Sequence, residues 1–492
     1  MVGILSFGAY LPISRLQKRS VVDAHSWYNP GLAAYRKGEV AMSCWDEDAI
    51  TMGVEASRDC LASRDRETLG AVILASTTHP FIDRQNAGIV KEALGLPDNV
   101  GASDMGGSQR AGTTALLQAL KASAGGGGEI LCVASEKRRP QPGSPLELQN
   151  GAASAAFVVG EGDVAAEFVG SHSVTVDFVD HYQTQGQEFE YGWETRWIRD
   201  EGYLKIAPKA VGEALEKAGL RPDEVGAFGF AVAMPKVAPA VAKRSGIPAE
   251  AVLDTLDGTV GHTGVAHPLL LLAQALEKAP KDQIIVIVGF GQGCDVLIFR
   301  ATGSSTASRP GMGVSGWLER RRTEENYYKY LAFNGHLQLE KGMRAELDQK
   351  TAMTALYRQR RGAFALIGGK CSVTGTVQFP RTPISVSQNA RTINTQEDYP
   401  FADRLARIMT YTSDRLAYSP NPPSYYGVVE FEGGGRLNME FADVTPDDVA
   451  VGAHMRMMFR IRAKDEVRNF PKYFWKAVPD FINQSEQAVA AE

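Results

Sequence analysis

Residues 50–77 read ITMGVEASRDCLASRDRETLGAVILAST, and residues 206–233 read IAPKAVGEALEKAGLRPDEVGAFGFAVA. Each opens with apolar residues at the spacing of one helix face. Each then passes through a charged turn ending in Gly and closes on a short apolar run. The two stretches are an internal repeat of helix then strand.

The likeness continues outward. In the first half GGSQRAGTTALLQALKAS (106–123) precedes EILCVASE (129–136), and in the second GTVGHTGVAHPLLLLAQALEKA (258–279) precedes IIVIVGFG (284–291). AAFVVG (155–160) and DVLIFRA (295–301) add one more strand to each half. Apolar runs with no polar alternation suit strands covered on both faces by helices. The fold class is therefore α/β. One layered domain spans 1–302, with pseudo-twofold halves at about 1–165 and 166–302. The opening MVGILSFGAYLP reads as its first strand.

Residues 303–315, rich in Gly and Ser, read as a linker, and the charged stretch 316–363 as a helical connector. From 364 to 480 the pattern turns to short strands: AFALIGGK, GTVQFP, YYGVVEFE, RLNMEFADV and HMRMMFRIR. With Gly and Pro turns between them, they predict a small β-barrel.

The 492 residues carry a net charge of −5, with 44% hydrophobic and 22% charged residues. This is an ordinary globular balance that points to neither nucleic acid nor membrane as partner. The five cysteines are scattered, with no C-x-x-C pair, which fits a reducing cytoplasm.

SQRAGTTALLQAL (108–120), ASEKRRPQPGSPLELQNGAASAAFVVG (134–160), AVAMPKVAPAVAKRSGI (231–247), GHTGVAHPLLLLA (261–273) and GFGQGCDV (289–296) occur in this order. Together they resemble the hydroxymethylglutaryl-CoA synthase branch of the thiolase superfamily, archaeal-type and ketoacyl-synthase-III-like. The resemblance implies a five-layered thiolase fold, acyl-CoA as the bound partner, and no tightly bound cofactor beyond the coenzyme A thioester substrate. It also implies a homodimer or dimer of dimers, joined through LCVASE (131–136). The C-terminal stretch resembles the OB-fold family found beside such enzymes. That family usually has a zinc ribbon before the barrel. Here its ligands fall at Cys371, Thr374, Ser385 and Ser387, so a ribbon-shaped segment without metal is predicted.

The family's catalytic pattern is altered. Its nucleophilic Cys aligns with Gln109, its H-x-P histidine with Ala233, its Asn with His262 in Gly261-His262-Thr263, and its acid/base Glu with Thr77. Gln cannot form an acyl-enzyme, and Ser108 has no evident base. The resemblance therefore implies enolate chemistry on a held thioester, of aldol or retro-aldol type. His262 would move the proton of a β-oxygen, and Gln109 and the amides of Gly291, Gln292 and Gly293 would hold the thioester oxygen. Ser108, Gly261 and Thr263 complete the binding set, and His79 stands at the rim as a third catalytic candidate. Three alternatives stay open: decarboxylation of malonyl- or β-ketoacyl-CoA through Gln109, family-type condensing acyl transfer, and an inactive CoA-binding scaffold. The basic runs Glu136-Lys137-Arg138-Arg139 and Arg320-Arg321-Arg322 read as solvated surface or a contact for CoA phosphates. The stretch 187–203 reads as a cover over the site.

Overall fold

Asp48 starts the first repeat helix, α1 (Ala49–Leu61): its carboxylate accepts from Thr51 N at 2.9 Å, and Thr51 Oγ1 accepts from Asp48 N at 2.8 Å. Its second-half counterpart, α3 (Leu204–Ala218), ends on Gly219 at φ +66°, the left-handed cap that glycine adopts without strain. Between them in sequence runs α2 (Ala111–Ala122), whose counterpart is α4 (His267–Lys278). The computed structural model describes residues 1–62, 64–304, 311–346, 351–387 and 391–481. These divide into two units: Met1–Cys44, Asp48–Gly88 and Pro97–Leu337 form the first, and Trp45–Glu47, Ile89–Leu96 and the chain from Gln338 onward the second.

The first unit holds one nine-stranded sheet. Its strands are β1 (Val2–Tyr10), β2 (Leu69–Ala75), β3 (Gly101–Met105), β4 (Glu129–Lys137), β5 (Ala152–Glu161), β6 (Ala166–Thr175), β7 (Val225–Phe230), β8 (Ile284–Phe290) and β9 (Gly293–Ala301). Their order is β7-β8-β9-β6-β1-β5-β4-β2-β3. In the first half β1, β5 and β4 pair antiparallel, and β4, β2 and β3 parallel. In the second half β6, β9 and β8 pair antiparallel and β8 and β7 parallel. Val252 bridges Phe228 in the place of the fifth strand. The halves thus repeat strand order and sense, and they join where Gly3 and Ile4 pair with Glu167 and Ala166.

Helix α1 lies on β1, β5 and β4, α3 lies on β6 and β9, and α2 and α4 each touch strands of both halves. Helices and half-sheets therefore stack in five layers. A Cβ on Gly112 of α2 would lie 2.3 Å from Val265 O, so glycine is what lets the turn before α4 approach α2.

Three sequence expectations need correction. Strand β4 is hydrogen-bonded on both sides, so LCVASE offers no edge through which a partner sheet can extend; the outer strand of that half is β3. The first unit also runs past 302. Gly313–Glu319 is a helix packed on β1 and α4, Arg322–Glu324 pairs with Ser14–Leu16, and Val314, Trp317, Tyr327 and Tyr330 are buried. Those four buried side chains in a charged stretch draw the described part of 311–337 onto the first unit, while the rest of the supposed connector, from Gln338, belongs to the second; 305–310 and 347–350 lie outside the described residues. Third, the strand expected over AFALIGGK begins only at Ile367, because Arg360–Ala365 is helical and Leu366 turns the chain at φ +50°.

In the second unit β10 (Ala406–Asp414), β11 (Ser424–Phe431), β12 (Arg436–Glu440), β13 (His454–Asp465) and β14 (Phe470–Pro479) form an antiparallel sheet ordered β12-β11-β10-β13-β14. A bridge from Phe441 to Ala477 closes it. Ile408, Val429, Met457, Phe459 and Trp475 fill the interior, which is the small barrel predicted.

Ahead of the barrel, Ile367–Cys371, Val377–Gln378 and Gln396–Pro400 make a three-stranded ribbon. Here the sequence reading misplaced the second pair of ligand positions. Cys371 Sγ lies 3.1 Å from Thr395 Oγ1 and accepts from Thr374 N at 3.4 Å; Thr392 stands before Thr395 at the spacing of Cys371 before Thr374, so Thr392/Thr395 is the second pair that this register predicts. One thiol and three hydroxyls do not fit the ligand set of a structural zinc site. Converting Thr374, Thr392 and Thr395 together to Cys is expected to create one. Metal analysis should then read one zinc per chain, and a triple variant that takes up none would refute this register.

Candidate active site

The ends of β2 and β4 lie side by side in parallel register, with Ala75 opposite Ala134. Two residues further on, Thr77 meets Glu136. Thr77 N and Oγ1 donate to Glu136 Oε2 at 3.1 and 3.0 Å, and Ser76 Oγ approaches Oε1 at 3.5 Å. Glu136 is 0% exposed, so the first residue of the supposed basic surface run is interior.

Gln109 sits just before α2, 9% exposed, and its Nε2 donates to Thr77 Oγ1 at 3.4 Å. Its Oε1 is buried and accepts no hydrogen bond among the described residues. Beside it, Asp295 pins the helix start, accepting from Thr113 Oγ1 at 3.1 Å and Thr114 Oγ1 at 2.6 Å. Ser108 Oγ donates to Gly291 O at 3.1 Å, which ties the glycine loop to the elbow. The N–H of Gly291 is itself spent on Gly293 O at 2.9 Å. That corrects its expected part as a thioester donor. Gln292 follows at φ +49° and Gly293 at φ +106°, forming the turn into β9.

The second half's turn meets this elbow at Gly264. A Cβ there would lie 2.7 Å from both Gln109 Oε1 and Glu136 Cγ and 3.2 Å from Arg138 Cδ. Gly264 N donates to His262 Nδ1 at 3.3 Å, so Gln109 and His262 converge on one glycine. The backbone of His262 is fixed by bonds to Gln149 O and from Gly151 N, and Gly261 takes φ +81° to allow it.

The state of His262 departs from expectation. Arg138 Nη1 also stands 3.3 Å from Nδ1, and the ring bonds to the Ala231 carbonyl, so Nδ1 is the acceptor and Nε2 carries the proton. Burial above all, then His267 and Arg138, holds its pKa well below the usual histidine value. A neutral ring with both nitrogens engaged is a hydrogen-bonding and orienting group, not a ready base. His267 stacks on it with centroids 4.8 Å apart, accepts from Thr263 N at 3.1 Å, and is lowered to about 4 by burial. His79 packs at Gly106, with Nε2 buried and unpartnered among the described residues.

The sequence shows Arg138 only as part of a run that reads as surface or as a contact for CoA phosphates, and it does not single out Asn150 or Glu190. Arg138 donates to Asn150 Oδ1 at 3.0 Å and pairs with Glu190, whose other oxygen accepts from Asn150 Nδ2 at 3.1 Å. Burial would raise the Glu190 pKa; Arg138, His181 and Asn150 more than offset it and hold the carboxyl below its ordinary value. The covering stretch therefore reaches the site through Glu190.

Residues 215–298 match the family model described as the C terminal of 3-oxoacyl-[acyl-carrier-protein] synthase III, and 401–460 match the C-terminal OB-fold domain of ChsH2. The hydroxymethylglutaryl-CoA synthase of Pyrococcus furiosus is 31% identical over 299 residues, 59% of this chain and 83% of the relative. The chain belongs to the hydroxymethylglutaryl-CoA synthase family. The synthase of Aeropyrum pernix is 30% identical over 346 residues, 69% of this chain and 96% of the relative. Among solved structures, MvaS in complex with 3-hydroxy-3-methylglutaryl coenzyme A aligns at a TM-score of 0.58 and 19% identity, covering 68% of this chain and 91% of that one. β-Ketoacyl-ACP synthase III of Thermus thermophilus aligns at 0.55 and 22%, covering 62% and 100%. These two likenesses establish the thiolase-type fold of the first unit.

Proposed function

We propose that the protein makes or breaks a carbon–carbon bond in an acyl-CoA thioester by aldol-type chemistry without an acyl-enzyme. The observation that carries this reading is the absence of an activated nucleophile at the elbow, among the described residues. Gln109 occupies it, Ser108 is tied to the Gly291 carbonyl, and burial pushes the thiols of Cys132 and Cys294 up to about 12, far from thiolate. Acyl transfer through a covalent intermediate therefore lacks its first step. Holding a thioester and stabilising its enolate remains feasible. The Gln109 amide stands at the N-terminus of α2, where backbone N–H groups and the helix dipole favour developing negative charge. No tightly bound cofactor is needed for it. Decarboxylation would bring a second carboxylate beside Glu136, which like-charge repulsion disfavours. The reading includes a homodimer whose sheets join at β3.

The test is incubation with a panel of β-hydroxyacyl-, β-ketoacyl- and malonyl-CoA esters, read by mass spectrometry of both products and protein. Cleavage of a β-hydroxyacyl ester is expected, with no acyl adduct on the chain. An adduct trapped on the protein, or turnover of malonyl-CoA alone, overturns the reading.

A further inference from the structure

We propose that Thr77 and Glu136 form a proton relay for the β-oxygen of the substrate, with Thr77 in contact with that oxygen and Glu136 as the proton's destination. The inference rests on the aldol-type reading and deepens it.

A carboxyl group fully inside a protein is costly unless a cation or several donors compensate it. Glu136 makes no ion pair among the described residues; its donors are one backbone N–H and the hydroxyls of Thr77 and, more distantly, Ser76. Arg138 adds an electrostatic attraction from beyond ion-pair distance, and what singles Glu136 out is its geometry: a fully buried carboxylate whose nearest donors sit at the mouth of the site. Thr77 is its way out. That residue is exposed, yet its hydroxyl reaches Glu136 at 3.0 Å. The Gln109 amide donates to the same hydroxyl at 3.4 Å, so the group placed to hold the thioester and the group placed to pass the proton are adjacent. A threonine oxygen that gives its proton inward keeps a lone pair to accept one from outside. The competing candidate, His262, has its Nδ1 facing the donors Gly264 N and Arg138 Nη1.

In the cleavage direction the step balances as follows. The β-hydroxyl proton passes to Thr77 Oγ1 as the Thr77 proton passes to Glu136. The β-oxygen becomes a carbonyl, the Cα–Cβ bond breaks, and its electron pair becomes the thioester enolate held beside Gln109. In the reverse direction Glu136 returns the proton to the alkoxide.

The experiment uses the full chain and the β-hydroxyacyl ester that it cleaves. Thr77→Val and Glu136→Gln should each lower kcat by roughly 10²–10⁴-fold, the usual range for one acid–base device, while KM changes less than about threefold. Thr77→Ser should restore turnover to within about threefold of the native protein, since it keeps the hydroxyl. The double variant Thr77→Val/Glu136→Gln should be no slower than the slower single, because both changes cut one chain. Glu136→Gln keeps an acceptor for Thr77, and a melting curve checks that it folds; should it melt early, the Val and Ser variants decide. Full kcat in Glu136→Gln, or losses that multiply in the double variant, overturns the relay while leaving the aldol-type reading intact. A native protein that cleaves no ester of the panel overturns that reading and the relay with it.

Discussion

Arg138→Ala will destabilise the first unit by about 3–5 kcal/mol, the usual cost of leaving one member of a buried ion pair alone. Both side chains of the Arg138–Glu190 pair are 9% exposed, so solvent does little to screen the orphaned carboxylate. The change also removes the donor to Asn150 and the guanidinium beside His262. Glu190 has a depressed pKa in the folded protein. Its contribution is therefore present at neutral pH, above the unfolded value, and is lost only as pH falls through the lowered one. Arg138→Met combined with Glu190→Leu should recover most of the loss, because a buried pair exchanged for apolar side chains of similar size is close to neutral. Denaturant midpoints of the two variants decide the matter. A loss below about 1 kcal/mol in Arg138→Ala would mean that water reaches Glu190 and that the pair is not structural.

That pair also shows where the sequence stopped being legible. The helix–strand repeat at 50–77 and 206–233 is local and periodic, so the two halves could be read directly, and so could the turns that carry Gln109 and His262. The family resemblance added which turns matter. Glu136 and Arg138 were hidden because they stand in an acid–base run, EKRR, that resembles solvated surface. What buries them is tertiary: β4 lies between β2 and β5, and its last residues run on beneath the turn at Gly264. One signal was available. A Glu closing an otherwise apolar strand of a parallel pair sits at the carboxyl end of that strand, where open α/β sheets place their ligands. The protonation of His262 was not legible either, since histidine in a family active-site turn suggests a base. Only the donors gathered at its Nδ1 make it neutral. In the ribbon, Ser385 and Ser387 read from sequence as the second ligand pair. The matching spacing of Thr392 and Thr395 became visible once Thr395 was seen against Cys371.

Gly264→Val should abolish activity while leaving the rest of the fold in place. Gly264 takes φ +54°, a backbone state that costs a side-chain-bearing residue about 1–2 kcal/mol and a β-branched one more. Strain alone would lower stability and spare the chemistry. The decisive term is steric. A Cβ placed 2.7 Å from both Gln109 Oε1 and Glu136 Cγ cannot be accommodated unless one of them moves, and Glu136 is held by Thr77 on its far side. Gln109, the end of a flexible side chain, gives way first, and with it goes the amide placed for the thioester. A displacement of about 1 Å in a positioning group is enough to cost on the order of 10²-fold in rate. Two branched methyls add to the displacement, so kcat/KM should fall by more than 10²-fold in Gly264→Val and by less in Gly264→Ala. Gly212 supplies the control. It lies in α3 with nothing within 4 Å of its would-be Cβ, so Gly212→Ala should raise stability by roughly 0.5–1 kcal/mol and leave turnover alone. If Gly264→Val turned over substrate at the native rate, the groups meeting at Gly264 would not be those that hold the thioester, and the site would have to be sought elsewhere in the first unit.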